Sequence, residues 1–193
     1  MNPALEAIWQ IIQKDYQNKV AYFKKFARKV DHLIVGDSMV AYYKPTLNIH
    51  KQGIAGDTTE GVLNRIDLIH LYHPYKVFLH IGTNDLVFTN DSDIDIVKRI
   101  QTIVDQLQAY DVCVILPLPV DPYYFQIKNQ PRTNARLYQL KTLMLEKIKD
   151  ATLIDMYETF LCEDVLCKKY HTDGLHLNKK GYDVYETVIK KHL

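Results

Sequence analysis

The chain has 193 residues, 24 of them Lys or Arg and 23 Asp or Glu, for a formal net charge of +1. A balance this close to neutral excludes a strongly basic, phosphate-tracking surface, so no nucleic-acid partner is expected. With 47% hydrophobic and 24% charged residues, 14 Tyr and 6 Phe, the composition is that of a folded domain, and the length fits a single one over residues 1–193.

No run approaches the roughly 20 apolar residues needed to span a bilayer. The longest, residues 112–120, contains Pro117 and Pro119. Glu6, Lys14 and Asp15 interrupt the N-terminal segment, which lacks the apolar core of a secretory leader. Three cysteines without framework spacing suit a reducing compartment, so a cytoplasmic location is expected.

In chain order, Leu5, Ile8, Ile12, Tyr16, Val20, Phe23 and Ala27 recur at spacings of three and four. They predict an amphipathic helix over residues 4–29, an N-terminal extension occupying the first 30 residues. Lys24, Lys25, Arg28 and Lys29 would close its last turn, where cations suit the helix dipole. A solvated terminus is favoured there over a membrane-surface helix. Short β-rich runs follow at 32–35, 47–49, 77–81, 112–116 and 152–154. Between them lie helical patterns. One is opened by the Asp57-Thr58-Thr59-Glu60 cap and carries Val62, Leu63, Ile66 and Ile69. A second follows Asp91-Ser92-Asp93 with Ile96, Ile100, Ile103 and Leu107, and a third follows Pro131 with Leu137, Leu140, Met144 and Ile148. Asn178 would cap a last helix with Tyr182, Tyr185, Val188 and Ile189. Apolar strands alternating with amphipathic helices predict a parallel sheet covered on both faces. Chemistry is then expected at the carboxyl ends of the strands. The longest irregular stretch is 117–130.

Small polar clusters stand where that expectation puts them: Gly36-Asp37-Ser38, Gly53-Ile54-Ala55-Gly56-Asp57-Thr58, Gly82-Thr83-Asn84-Asp85, and Asp173-Gly174-Leu175-His176 before the final helix. A serine hydroxyl needs a neighbouring base, and His176, with Asp173 three residues earlier to hold its other nitrogen, would complete a Ser–His–Asp arrangement. The Ser38 N–H, the Gly56 N–H and the Asn84 amide could serve a developing oxyanion. Each cluster alone reads as an ordinary turn or cap. Their occurrence together, in order and each at an element boundary, favours ester hydrolysis. A neutral His176 base predicts activity that rises through the ordinary histidine range near pH 6.5.

The four clusters, with Met39 where Leu is usual, resemble the blocks of the SGNH, or GDSL-type, hydrolase family. The tail Leu177-Asn178-Lys179-Lys180-Gly181-Tyr182 is similar to the family's segment after its histidine. The N-terminal helix is similar to extensions in the platelet-activating-factor acetylhydrolase branch. The resemblance covers about residues 31–193. It implies a three-layer α/β/α fold with a flavodoxin-like five-stranded parallel sheet, and a small-molecule acyl ester as substrate. It implies Ser38 as nucleophile, His176 as base, Asp173 as its orienting group, and Ser38, Gly56 and Asn84 as the oxyanion hole. It implies neither metal nor organic cofactor.

Tyr42, Tyr43, Tyr123, Tyr124 and Phe125 follow the first and fourth predicted strands. They either line an acyl or sugar pocket or pack loops that lack other core. His80 reads as a hydrogen-bonded core histidine and Cys113 as a core thiol. A metal site on His70, His73, His171 and His176 is disfavoured because His70 and His73 sit at a helix end remote from the others, and Cys162 and Cys167 lack the paired spacing of zinc ligands. Two other functional classes stand beside the esterase. One is a non-catalytic ligand-binding module, disfavoured by the lack of phosphate-loop glycine motifs. The other is an interaction protein whose N-terminal helix docks a partner, such as a second copy in a homodimer.

Overall fold

The computed structural model describes residues 3–127 and 130–193. Its central sheet comprises β1 (His32–Gly36), β2 (His50–Gly53), β3 (Lys76–His80), β4 (Asp111–Ile115) and β5 (Thr152–Ile154), all parallel, in the order β2-β1-β3-β4-β5. The helices in chain order are α1 (Pro3–Lys25), α2 (Ser38–Tyr42), α3 (Thr59–Leu63), α4 (Ile66–Leu71), α5 (Asp85–Phe88), α6 (Asp93–Gln106), α7 (Asn134–Lys147), α8 (Tyr157–Phe160) and α9 (Lys179–Ile189).

Strand side chains alternate between two cores. Leu33, Val35, Val77, Leu79, Val112 and Val114 face α3, α4, α6 and α7. Ile34, Phe78, Cys113 and Ile115 face α2, α8 and α9. The result is the three-layer α/β/α architecture expected from the alternating pattern. Strand order reverses at β1, so a crevice opens beyond the carboxyl ends of β1 and β3, and the polar clusters after β1, β2 and β3 all lie there.

Several elements differ from the sequence-based expectation, each for a local reason. The second strand is not the apolar 47–49 but the polar His50–Gly53. It is an edge strand, and the Lys51 ammonium donates to the carbonyls of Ala41 and Tyr43, both at 2.6 Å. The helix expected after Asp57 breaks into α3 and α4 at Asn64–Arg65. There Arg65 turns inward and donates through Nε and Nη2 to Asp57 Oδ2 at 3.0 and 2.9 Å. Thr58 rather than Asp57 caps α3, and α7 starts at Asn134 under a Thr133 cap rather than at Pro131. The irregular stretch contains a 3₁₀ turn, Pro122–Tyr124, in which the Asp121 carboxylate accepts from the Tyr123 N–H. Residues 128–129 of that stretch and the Leu5 side chain lie outside the described residues.

The apolar stripe of α1 is used within the chain. The Trp9 ring stacks on Phe88 at 5.1 Å, and Phe23 joins Ile54 and Leu68 in a small core of its own. The Tyr16 hydroxyl donates to the Gly61 carbonyl at 2.6 Å, and the Tyr72 hydroxyl to the Phe23 carbonyl at 2.8 Å. Ile11 and Tyr22 of the same helix, and Phe26 just after it, stay exposed. Because α1 ends at Lys25, Arg28 and Lys29 fall beyond its last turn.

Not all cysteines are free. Cys162 and Cys167 form a disulfide at a β-hairpin of β6 (Leu161–Cys162) and β7 (Val165–Leu166), whose antiparallel pairing folds the chain back within five residues. Such bonds persist in oxidising surroundings, so cysteine usage gives no support to a reducing compartment. Cys113 is a buried free thiol, as expected. His80 is the hydrogen-bonded core histidine anticipated, 2.9 Å from the Tyr185 hydroxyl. His70 Nδ1 lies 2.8 Å from the Tyr110 hydroxyl. Among the described residues no group of three His, Cys, Asp or Glu side chains is placed to hold a metal, and no helix is long and apolar enough to cross a membrane.

Candidate active site

Ser38 is the first residue of α2, directly after β1. The short strand-to-helix turn is held by Asp37, whose carboxylate accepts from the Met39 N–H at 2.9 Å. The turn places the Ser38 Oγ 3.0 Å from His176 Nε2.

His176 is held by a turn that its own segment builds. Asp173 Oδ1 accepts from the Leu175 and His176 N–H groups at 3.0 and 2.8 Å, and the Thr172 N–H donates back to the His176 carbonyl at 2.9 Å. Gly174, at φ +85°, sits where a Cβ would strike the Asp121 carbonyl oxygen at 2.1 Å, so only glycine lets this turn dock. Asp173 Oδ2 then lies 2.7 Å from His176 Nδ1. An ionised carboxylate only accepts, so the ring proton belongs on Nδ1 and Nε2 is left as an acceptor for the serine hydroxyl. Burial alone would raise the Asp173 carboxyl. Hydrogen bonds from the His176 ring and backbone, and from the Leu175 N–H, outweigh it and hold the group well below the usual carboxylate range.

Gly56 and Asn84 reach the same cavity, of about 290 Å³, that Ser38 and His176 line. Gly56 adopts φ +78°, and the space of its missing side chain is filled by Ile12 of α1. Asn84 precedes α5. Its Nδ2 donates to the Asp57 carbonyl at 2.9 Å, leaving a second amide hydrogen, and its Oδ1 accepts from Arg132 Nη2 at 2.6 Å. Among the described residues, the Ser38 and Gly56 N–H groups have no intramolecular acceptor.

Two charged groups lie under the site: Asp37, named in the sequence only as part of the first cluster, and Arg132, which no sequence pattern marked. Asp37 is buried, and burial raises its carboxyl to about 6 although the Met39 N–H, Arg132 and His176 pull the other way. Arg132 is also buried, which lowers its guanidinium to about 10, while Asp37 and Asp173 hold it charged at neutral pH. Its Nε donates to the Thr83 carbonyl at 3.2 Å. Arg132 follows a proline in an irregular segment, and no local pattern marks such a residue as buried. Ile8 and Ile12 also line the cavity; the only signal was their place on the helical stripe.

Of the aromatics singled out from the sequence, two reach the cavity. Tyr42 packs edge-on against the His176 ring at 5.0 Å, and Phe125 contributes a wall. Tyr43, the C-cap of α2, instead points into the second core, between Tyr182 and Tyr185 of α9. Tyr123 is 81% exposed, and Tyr124 packs outside the cavity on His171, with Lys168 over its ring.

A family model described as GDSL-like lipase/acylhydrolase matches residues 32–184, most of the chain and all four clusters. The chain belongs to that family. Its members are carboxylic ester hydrolases, and this chain is one. Solved structures agree on the fold. A Streptococcus pneumonia protein whose description names platelet activating factor is 22% identical, with TM-score 0.85 and coverage of 98% of this chain and 97% of that one. A GDSL-like lipase from Bacteroides thetaiotaomicron is 21% identical (TM-score 0.77, coverage 92% and 96%). A lipase/acylhydrolase from Enterococcus faecalis is 20% identical (TM-score 0.72, coverage 84% and 95%). Among curated proteins none matches the sequence. The family match begins at His32, so α1 lies outside it.

Proposed function

We propose that this GDSL-like hydrolase cleaves small-molecule esters through an acyl-enzyme formed on Ser38. The observation that carries the reading is the continuous relay from Ser38 Oγ to His176 Nε2 at 3.0 Å and from His176 Nδ1 to Asp173 at 2.7 Å. Ser38 Oγ attacks the carbonyl carbon as its proton passes to Nε2, and the Asp173 carboxylate stabilises the imidazolium that forms. The oxyanion is met by the Ser38 N–H, the Gly56 N–H and the second hydrogen of Asn84 Nδ2. Collapse of the tetrahedral species breaks the ester C–O bond, and His176 returns its proton to the leaving alkoxide. Water, deprotonated by His176, then releases the acid and restores Ser38.

The test is hydrolysis of p-nitrophenyl esters from acetate to long acyl chains, run beside Ser38→Ala. Turnover that vanishes in the variant supports the reading. Turnover that survives in Ser38→Ala places the nucleophile elsewhere.

A further inference from the structure

The cavity beside Ser38 is closed on one side by α1, which no part of the family match covers. Ile12 is the nearest part of that wall. A Cβ built on Gly56 would lie 2.3, 2.6 and 2.9 Å from the Cδ1, Cγ1 and Cγ2 of Ile12, so the isoleucine rests directly on the glycine backbone. Ile8, four residues earlier and about 6 Å away along the helix axis, lines the same cavity. Val87 and Phe88 of α5, and Phe125 and Ile127 of the irregular loop, add further apolar lining.

The wall is fixed at both ends of its span. Trp9 stacks on Phe88, itself a lining residue, and the Tyr16 hydroxyl bonds the Gly61 carbonyl. An acyl chain leaving a carbonyl held beside Gly56 therefore meets branched aliphatic side chains of α1 at a set position.

We infer that α1 determines acyl-chain length, with Ile12 and Ile8 as specificity-determining residues that limit how far an apolar acyl group extends from Ser38. The inference rests on the ester-hydrolase reading of the same site and adds to it the helix that selects the substrate. Accommodating or refusing one methylene in an apolar pocket changes discrimination by roughly 10- to 200-fold, so one isoleucine side chain is enough to move a length preference.

The experiment uses the full chain and p-nitrophenyl alkylphosphonates from ethyl to decyl. In this reaction Ser38 Oγ forms a bond to phosphorus, p-nitrophenolate leaves and the serine proton passes to His176. Labelling rates are read by nitrophenolate release and intact mass. Ile12→Ala is expected to raise the ratio of long-chain to short-chain rates at least about tenfold. Ile8→Trp, at a position 39% exposed and so free of core cost, is expected to lower it. Ile11→Ala, 70% exposed on the same helix and outside the cavity, serves as the control and leaves the ratio unchanged. A ratio within twofold of the parent in both Ile12→Ala and Ile8→Trp, with Ser38 still labelled, overturns the inference alone. A parent chain whose Ser38 resists every phosphonate overturns the reading of Ser38 as nucleophile, and the inference with it.

Discussion

The Arg132 guanidinium donates to Asn84 Oδ1 at 2.6 Å, both side chains being buried. With Oδ1 committed to Arg132 and one Nδ2 hydrogen to the Asp57 carbonyl, the Asn84 amide cannot flip, and its remaining hydrogen has one direction left. Arg132 is in this sense a positioning residue for the oxyanion donor proposed above. Replacing Asn84 by Ala is expected to lower kcat by about 10²–10³. Arg132→Lys keeps the charge but not the fork, and should lower kcat with little change in KM. In an Asn84→Ala background the same Arg132→Lys change should have almost no further effect on kcat. Full additivity of the two substitutions would separate Arg132 from the amide.

Ser38→Ala should reduce turnover by on the order of 10⁶. The hydroxyl is small and sits at a helix start, so thermal stability is expected to stay within about 0.5 kcal/mol of the parent. A variant that also melted early would mean that the loss reported misfolding, which a paired melting curve detects.

Burial of Asp37 sets a pH dependence of stability. Its folded carboxyl is raised to about 6 from an ordinary value near 4. Between those values the folded state holds a proton that the unfolded chain has lost, so this group's contribution is full below about pH 4 and is lost as pH rises through about 6. Asp37→Asn, which keeps an acceptor for the Met39 N–H, should therefore gain stability relative to the parent as pH rises from 4 to 7. The gain expected is about 2–3 kcal/mol across that window. Denaturant titrations of both chains at several pH values give the difference directly, and a constant gap would refute it.

The Asp57–Arg65 pair is buried at both ends, and Arg65 also donates to the Gly36 and Gln52 carbonyls. Arg65→Met would leave the Asp57 charge without its counter-ion, a loss typically of about 3–5 kcal/mol, or a Tm drop of about 10 °C or more for a chain this long. Adding Asp57→Asn to that variant should recover part of the loss, because no charge then remains to be buried. A double variant less stable than Arg65→Met alone would contradict this.

Much of this was legible in the sequence because it is encoded locally. The centres of β1, β3 and β4 are runs of apolar residues, and the Asn178 cap stands where the pattern put it. Ser38, Gly56, Asn84, Asp173 and His176 were found from short polar clusters at strand ends, and they line one cavity. What escaped depends on contacts distant in sequence. Edge strand β2 is polar because one of its sides has no partner strand, which no local window reveals. Tyr43 and Tyr42 are adjacent, and only the docking of α9 decides that one is core while the other meets His176. Buried Arg132 bonds Asn84 and feels the charges of Asp37 and Asp173, all from other segments, and Cys162 meets Cys167 only once the hairpin has closed.

The two margins of the sheet differ from its centre in a way that bears on self-association. Open backbone donors and acceptors along a flat strand invite another chain to add itself by hydrogen bonding. Here one margin carries the Lys51 ammonium, drawn onto the Ala41 and Tyr43 carbonyls, and the other is β5, only three residues long. A recruited strand would meet a short polar strand carrying a lysine at the first and find too few rungs at the second. The fold thus guards against polymerising through its own sheet, and concentrated solutions of the native chain should stay free of cross-β growth.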